Sequence, residues 1–175
     1  MYLTAGLIIV LHQMGNHGPA YYKRYPQEFE FFKPSCKTNR LENCSTSEIN
    51  NAYDNSIIYT DYFLHKVISF LKLYSESYNT SMIYMSDHGE SLGENNIYLH
   101  GMPYLVAPDN QKHIATLLWF GNGHEKKYSI NKLKKIKDIN FSHDNLFHTL
   151  LGLFNVKSNV YDENMDMLSE SGVKQ

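Results

Sequence analysis

The chain has 175 residues, of which 42% are hydrophobic and 19% are charged, and its formal net charge is −2. This composition predicts one folded domain with a sizeable core and excludes disorder as its main state. The small net charge gives no general electrostatic reason to expect nucleic acid as a partner. No apolar stretch approaches the roughly 18 residues that a membrane-spanning helix needs, and no targeting signal is recognised.

The first half of the chain is predicted to contain a buried strand, a long loop and a long helix. The apolar run in residues 5–12 indicates the strand. Residues 13–45 are rich in glycine, proline, asparagine and aromatic residues, and they predict a loop with at most a short helix near Gln27–Phe32. Residues 46–75 predict a helix capped by Thr46 or Ser47, because apolar residues recur there at three- and four-residue spacing.

The second half is predicted to contain two strands, a helix and a tail. Ser81–Ser86 and Ile114–Phe120 are apolar and indicate buried strands, with a long loop over 87–112 between them. Asp144–Phe154 has helical spacing, whereas the residues from Lys157 show little periodicity and predict a loosely ordered tail.

The order strand, long helix, strand predicts a βαβ unit whose first two strands are parallel. Ligand sites in such sheets lie at the carboxyl ends of the strands. We therefore expect the loops that begin at Gln13 and Asp87 to lie side by side.

Asp87 and His88 directly follow a predicted strand, and Gly89, Glu90 and Glu94 come soon after. A carboxylate oxygen and a neutral imidazole nitrogen are both ligands that zinc accepts. Adjacent residues of a strand point to opposite faces, so both can reach one metal only where the chain turns, as Gly89 permits. The pair is a candidate metal site, and an ordinary turn is the alternative.

His17 and His100 lie in the two long loops, and each precedes a glycine. Single loop histidines are usually just exposed to solvent. Two that converge on Asp87 and His88 could bind a second metal, bind a phosphate when protonated, or protonate a leaving group. The sequence contains no Gly-x-Ser-x-Gly elbow, Walker loop or compelling Ser-His-Asp order, and no nucleophile is identified.

Cys36 and Cys44 lie eight residues apart in a polar, turn-rich segment. Metal-binding pairs are more often spaced by about two to four residues. The spacing leaves open two reduced thiols or a disulfide. A disulfide would contribute about 2–3 kcal/mol in the chain-entropy model and would imply an oxidising compartment.

Four blocks of the sequence are distinctive: Val10–Pro26, Asn51–Asn55, Ser86–Glu94 and Tyr98–Pro103. Together they resemble the bacterial phosphoethanolamine transferases that modify lipid A and related envelope targets, in the sulfatase and alkaline phosphatase superfamily. The resemblance runs from about Leu7 to about Phe154.

The resemblance implies an α/β fold, a three-layer α/β/α sandwich of the sulfatase type that is incomplete here at its N-terminal side. Residues 1–156 are expected to form the C-terminal part of the catalytic domain, followed by a loosely ordered tail at 157–175. Family members carry N-terminal membrane helices, a threonine nucleophile and a glutamate ligand, which are expected upstream of this chain. Membrane association is expected through those absent segments, at the periplasmic face of the bacterial inner membrane.

The implied activity is zinc-dependent transfer of phosphoethanolamine from phosphatidylethanolamine to lipid A or a related envelope acceptor. The chain is expected to be inactive by itself, because no residue in it matches the nucleophile. A sulfatase- or phosphodiesterase-type hydrolase and a non-enzymatic fragment of a split gene are the alternatives.

The resemblance also implies roles for individual residues. Asp87 and His88 are expected to be zinc ligands, and His17 and His100 are expected to contact the substrate or a second zinc. Cys36 and Cys44 are expected to form a disulfide, and Glu90 and Asn16 are weaker candidates for supporting positions.

Overall fold

The computed structural model describes residues 6–122 and 128–169. The helices are α1 (Thr46–Tyr74), α2 (Asp109–Lys112), α3 (Ile130–Ile136) and α4 (Asp144–Leu153). The strands are β1 (Ser81–Met85), β2 (Ser91–Leu92), β3 (Tyr98–Leu99) and β4 (Thr116–Phe120). β1 pairs with β4, and β2 pairs with β3 in an antiparallel hairpin. Among the described residues, no helix has both the length and the apolar character needed to cross a bilayer.

The chain divides into two compact units. The larger unit comprises Leu11–Tyr74 and Ser81–Trp119, and the smaller unit comprises Met1–Val10, Ser75–Thr80 and Phe120–Gln175. Helix α1 lies in the larger unit with β2, β3 and α2, whereas α3 and α4 lie in the smaller one.

Helix α1 begins with a capping box at Ser45 and Glu48. The Ser45 hydroxyl accepts a hydrogen bond from the Glu48 N–H (3.3 Å), and the Glu48 carboxylate accepts one from the Ser45 N–H (2.8 Å). These bonds to Ser45 also hold the pKa of Glu48 below its usual range. The helix matches its predicted extent, but the predicted caps Thr46 and Ser47 are wrong, since both residues lie inside it.

The core of the larger unit forms where α1 meets the long loop that precedes it. Ile49 and Ala52 of α1 are fully buried against Tyr21, Cys36 and Leu41 of the loop. Cys36 and Cys44 are joined in a disulfide, which confirms the pairing that the family resemblance implied.

Asn55 of α1 is completely buried and binds the backbone of the loop. Its side-chain oxygen accepts hydrogen bonds from the N–H groups of Phe31 (2.9 Å) and Phe32 (2.8 Å), and its nitrogen donates to the Phe32 carbonyl (3.0 Å). One amide thus satisfies three backbone groups just after the 3₁₀ turn Gln27–Phe29.

The predicted first strand is not observed. Residues 6–12 form no strand, and residue 5 lies outside the described part of the chain. Leu7 and Val10 are 79% and 82% exposed. A buried strand needs a neighbouring strand for its N–H and C=O groups and cover for its faces, and no described strand pairs with this segment. The predicted parallel βαβ unit is therefore wrong.

The remaining strands and the last helix agree with their predictions to within two residues. β1 and β4 correspond to the predicted strands, and α4 corresponds to the predicted helix. The predicted loop over 87–112 also contains the β2–β3 hairpin, in which Ser91 pairs with Leu99 and Leu92 with Tyr98. Two-residue strands are too short to produce a periodic pattern.

Residues 157–169 are the described part of the predicted tail, and they contact α4; residues 170–175 lie outside the description. Met167 is 2% exposed, and its N–H donates to the hydroxyl of Thr149 on α4 (3.0 Å). Asn145 of α4 donates to the Met165 carbonyl (2.8 Å). Side chains of α4 thus hold the backbone at Met165 and Met167.

We expect Asn55→Ala to lower the free energy of unfolding by about 2–4 kcal/mol, because it removes three hydrogen bonds that a completely buried side chain makes to the loop backbone. Asn51→Ala is the matched control. Asn51 also lies on α1 but makes a single exposed hydrogen bond to the Pro34 carbonyl, so its loss should cost below about 1 kcal/mol. Urea denaturation followed by circular dichroism measures both, and equal losses would contradict the assigned role of Asn55.

Candidate metal centre

Three histidines from separate segments of the larger unit converge. His17 lies in the loop before α1, His88 follows β1 and His100 follows β3. One ring nitrogen of each lies within 4.8 Å of the others, and this is the one such cluster of potential metal ligands in the described residues. The rings of His88 and His100 are stacked with centroids 3.9 Å apart, and His17 lies 4.7 Å from His100. The expected proximity of the two long loops is confirmed, although the predicted parallel sheet does not produce it.

The Nδ1 atom of each histidine is engaged by a neighbouring oxygen. Nδ1 of His17 lies 2.7 Å from the Gly18 carbonyl, and Nδ1 of His88 lies 2.8 Å from the Gly89 carbonyl. Nδ1 of His100 lies 3.4 Å from Glu90 Oε1. Carbonyl and carboxylate oxygens accept hydrogen bonds, so each Nδ1 is the protonated nitrogen and each Nε2 keeps its lone pair. The cluster therefore offers three Nε2 donors to a metal ion.

Glu90 is the buried carboxylate behind the cluster, since its side chain is only 5% exposed. Besides His100, it lies 3.5 Å from the N–H of Gly18, next to His17. Burial and the negative charge of Glu90 raise the pKa of both Tyr21 and Tyr53. Both phenols therefore remain neutral beside the Glu90 carboxylate. Sequence reasoning placed it only among the weaker supporting positions.

Asn16 anchors the loop that carries His17. Its side-chain nitrogen donates to the hydroxyl of Ser56 on α1 (2.6 Å), and the Thr60 hydroxyl donates to its side-chain oxygen (3.4 Å). Arg24 donates through Nε to the His17 carbonyl (2.8 Å). The sequence predicted no role for Ser56 or Arg24 individually. Ser56 acts through Asn16, which is 40 residues away in the chain, and Arg24 acts through the backbone of His17 in an irregular loop.

Asp87 lies beside His88 but outside the three-histidine cluster. Its side chain is 80% exposed, and its Oδ2 atom is 3.9 Å from His88 Nε2. Its Oδ1 atom accepts a hydrogen bond from the His88 N–H (3.0 Å), which orients the carboxylate at the turn. Ligand atoms on a tetrahedral zinc ion lie about 3.3 Å apart. The observed 3.9 Å is about 0.6 Å longer than this, and a carboxylate oxygen and an imidazole nitrogen are ligand types that zinc accepts, so Asp87 and His88 fit a zinc ion.

Gly89 is required at the turn after His88 because another backbone segment passes against it. Its N–H donates to the Gln111 carbonyl (3.0 Å), and a Cβ at this position would lie 2.0 Å from the Asn110 carbonyl oxygen. Gln111 is itself buried and donates to the hydroxyl of Ser91 in β2 (3.0 Å). The sequence explained Gly89 by the turn alone, whereas the close approach of residues 110–111 is the structural reason.

A cleft of about 270 Å³ opens beside two of the histidines. Its lining includes His88, His100, Met102, Tyr104 and Lys112. Two residues of the histidine cluster thus border a space that admits a small ligand.

Comparisons with known proteins give one consistent result. A family model described as Sulfatase matches residues 7–156. The phosphoethanolamine transferase EptA of Salmonella typhimurium is 46% identical over 164 residues, which cover 92% of this chain and 30% of that protein. This chain thus spans about a third of the length of the curated relative.

Two solved structures have the same fold. The C-terminal periplasmic domain of phosphoethanolamine transferase EptC from Campylobacter jejuni is 52% identical with a TM-score of 0.83, over 89% of this chain and 49% of that one. The soluble domain of lipooligosaccharide phosphoethanolamine transferase A from Neisseria meningitidis is 40% identical with a TM-score of 0.86, over 91% of this chain and 48% of that one. These matches confirm the predicted α/β fold class of the sulfatase type.

We expect Gly89→Ala to lower the free energy of unfolding by about 2–3 kcal/mol, because the new methyl group collides with backbone that cannot rotate away. Gly101→Ala is the control: nothing lies within 4 Å of its Cβ position, and only its positive φ of 96° opposes alanine, at about 1 kcal/mol. Denaturant titration of both variants separates collision from backbone strain. A smaller loss for Gly89→Ala than for Gly101→Ala would contradict the close approach.

Proposed function

Because this chain belongs to the Sulfatase family, we propose that it is part of a zinc-dependent transferase that moves phosphoethanolamine from phosphatidylethanolamine to lipid A or a related envelope acceptor. The observation that carries the proposal is the cluster of His17, His88 and His100, with Nδ1 of each held by an oxygen. The printed names of the relatives support the transferred group and the envelope acceptor. Their periplasmic and soluble domains support a location of the whole protein at the periplasmic face of the inner membrane.

In this proposal Asp87 and His88 are the zinc ligands that the chain provides. Their side chains meet at one turn, and one oxygen and one nitrogen are already within 3.9 Å. A bound zinc ion supplies a Lewis acid that stabilises charge on phosphoryl oxygens and activates a hydroxyl nucleophile. The nucleophile and the remaining ligands are proposed to lie in sequence outside this chain.

His17 and His100 are proposed to contact the phosphoryl group. Their rings lie close to each other and to His88, so a phosphate held near His88 is within reach of both. Each donates through Nε2 when protonated, which stabilises negative charge on the transferred group or supplies a proton to the leaving alcohol. Glu90 fixes the orientation of His100, and Asn16 fixes the loop of His17, so both act as positioning residues.

We expect His88→Ala to abolish zinc binding by the chain and Asp87→Ala to weaken it by about tenfold or more, because these two side chains are the zinc ligands proposed for this chain. His65→Ala is the control, since His65 is exposed on α1 and bonded only locally to Ser69. Isothermal titration calorimetry with zinc measures all three variants. Unchanged affinity in His88→Ala would contradict the assigned site.

We expect the zinc-loaded chain to bind phosphoethanolamine about tenfold or more tightly than ethanolamine O-sulfate, because the phosphate ester carries more negative charge for the metal and His17. His17→Ala should remove most of this difference, and nuclear magnetic resonance titration measures it.

Tighter binding of the sulfate ester would instead favour the sulfatase-type alternative. With labelled phosphatidylethanolamine and lipid A, we expect no transfer by the 175-residue chain, because it is assigned no nucleophile. Robust lipid A modification would contradict that assignment, and release of free ethanolamine phosphate would favour a hydrolase.

A further inference from the structure

The loop that follows His100 presents a run of apolar side chains to solvent. Tyr104, Leu105 and Val106 are 78%, 95% and 62% exposed, and Met102 beside them is 37% exposed. We refer to residues 102–106 as the apolar loop. Three consecutive exposed apolar residues are costly in water and mark a surface that meets an apolar phase or partner.

The backbone of the apolar loop is held by hydrogen bonds on both sides of Leu105. The Pro103 carbonyl accepts hydrogen bonds from the N–H groups of Val106 and Ala107, both at 2.9 Å. Ala107 is buried, and the buried Gln111 accepts a hydrogen bond from the Met102 N–H (3.4 Å). The turn is therefore tied down at both ends, and the tip at Leu105 faces outward as a consequence of its backbone.

The apolar loop is continuous with the candidate metal centre. Met102 and Tyr104 line the same cleft as His88 and His100. A surface that covers the tip of the loop would therefore lie beside this cleft.

The ammonium group of Lys112 lies next to the apolar loop. Nζ of Lys112 lies 5.4 Å from the centroid of the Tyr104 ring and also lines the cleft. Lys112 is 3.6 Å from Asp109, but that carboxylate is 94% exposed and such a surface pair contributes little. In a bilayer surface the acyl chains lie beneath a layer of anionic phosphates. The apolar and aromatic side chains at the tip suit the acyl layer, and the ammonium group behind them suits the phosphate layer.

We propose that the apolar loop docks on a phospholipid surface, with Tyr104, Leu105 and Val106 in the interfacial layer and Lys112 at the phosphate level. The choice of lipid as the occupant rests on the proposed function, in which donor and acceptor are both envelope lipids. Docking brings the shared cleft against the headgroups, so a lipid phosphate reaches His88 and His100 without leaving the surface. The chain thus makes a membrane contact of its own, in addition to the association expected through segments outside it.

The test uses Leu105→Cys labelled with an environment-sensitive fluorophore and mixed with vesicles of phosphatidylethanolamine and phosphatidylglycerol. Leu73→Cys on α1 is the matched control, since Leu73 is 78% exposed and is also a leucine of the larger unit. We expect quenching of the Leu105 probe by nitroxide-labelled lipids and little quenching of the Leu73 probe. Equal quenching at the two positions, or none at Leu105, would overturn the proposal.

A second measurement uses unlabelled protein and vesicle flotation. Leu105→Glu should weaken binding to the same vesicles by about tenfold or more, whereas Leu73→Glu should leave it within about twofold. An affinity that falls equally in both variants would overturn the proposal.

Neither assay needs zinc or turnover, so the outcome is separable from that of the proposed function. Lost zinc binding with intact docking refutes the metal site alone, and intact zinc binding without contact at Leu105 refutes the docking alone.

Discussion

The larger unit depends on hydrogen bonds from buried polar side chains of α1 to a loop that has almost no regular structure. Asn55, Ser56 and Thr60 are all buried on a helix face where leucine or valine would be expected. They bind the backbone of residues 31–32 and the side chain of Asn16. A loop without regular structure has no repeating ladder of hydrogen bonds, so each of its buried N–H and C=O groups needs its own partner. A buried amide or hydroxyl on a rigid helix provides such a partner and fixes the loop in one conformation.

This arrangement carries directly into the site. Asn16 is tied to α1, so the neighbouring His17 is held next to His88, which follows β1, and His100, which follows β3. Glu90 connects the two sides, because its carboxylate lies near the N–H of Gly18 and Nδ1 of His100. A single buried anion thus links the loop before α1 to the hairpin after β1, and the two phenols that it faces stay neutral. The same hydrogen bonds therefore fix both the loop before α1 and the positions of the three histidines.

Local patterns in the sequence predicted the elements whose stability is local. α1 follows from apolar spacing, and β1 and β4 follow from short apolar runs between polar segments. The same reasoning failed for residues 6–12, because an apolar run shows a preference for burial but not whether a partner covers it. The hydrogen bonds that Thr149 and Asn145 of α4 make to the backbone of residues 165–167 likewise have no periodic pattern in the sequence to indicate them.

For the site, the sequence by itself determined the chemistry that is available: imidazole nitrogens at positions 17, 88 and 100, a carboxylate at 87, and glycines at the turns. It also indicated, through the resemblance of its blocks, that these residues belong together. Only the tertiary structure decided that Nδ1 of each histidine is engaged, that Glu90 lies behind the cluster and that Asp87 remains exposed beside it. The physical reason is that the orientation of a ring and the burial of a carboxylate depend on contacts between segments that are far apart in the chain, and no local pattern of residues encodes them.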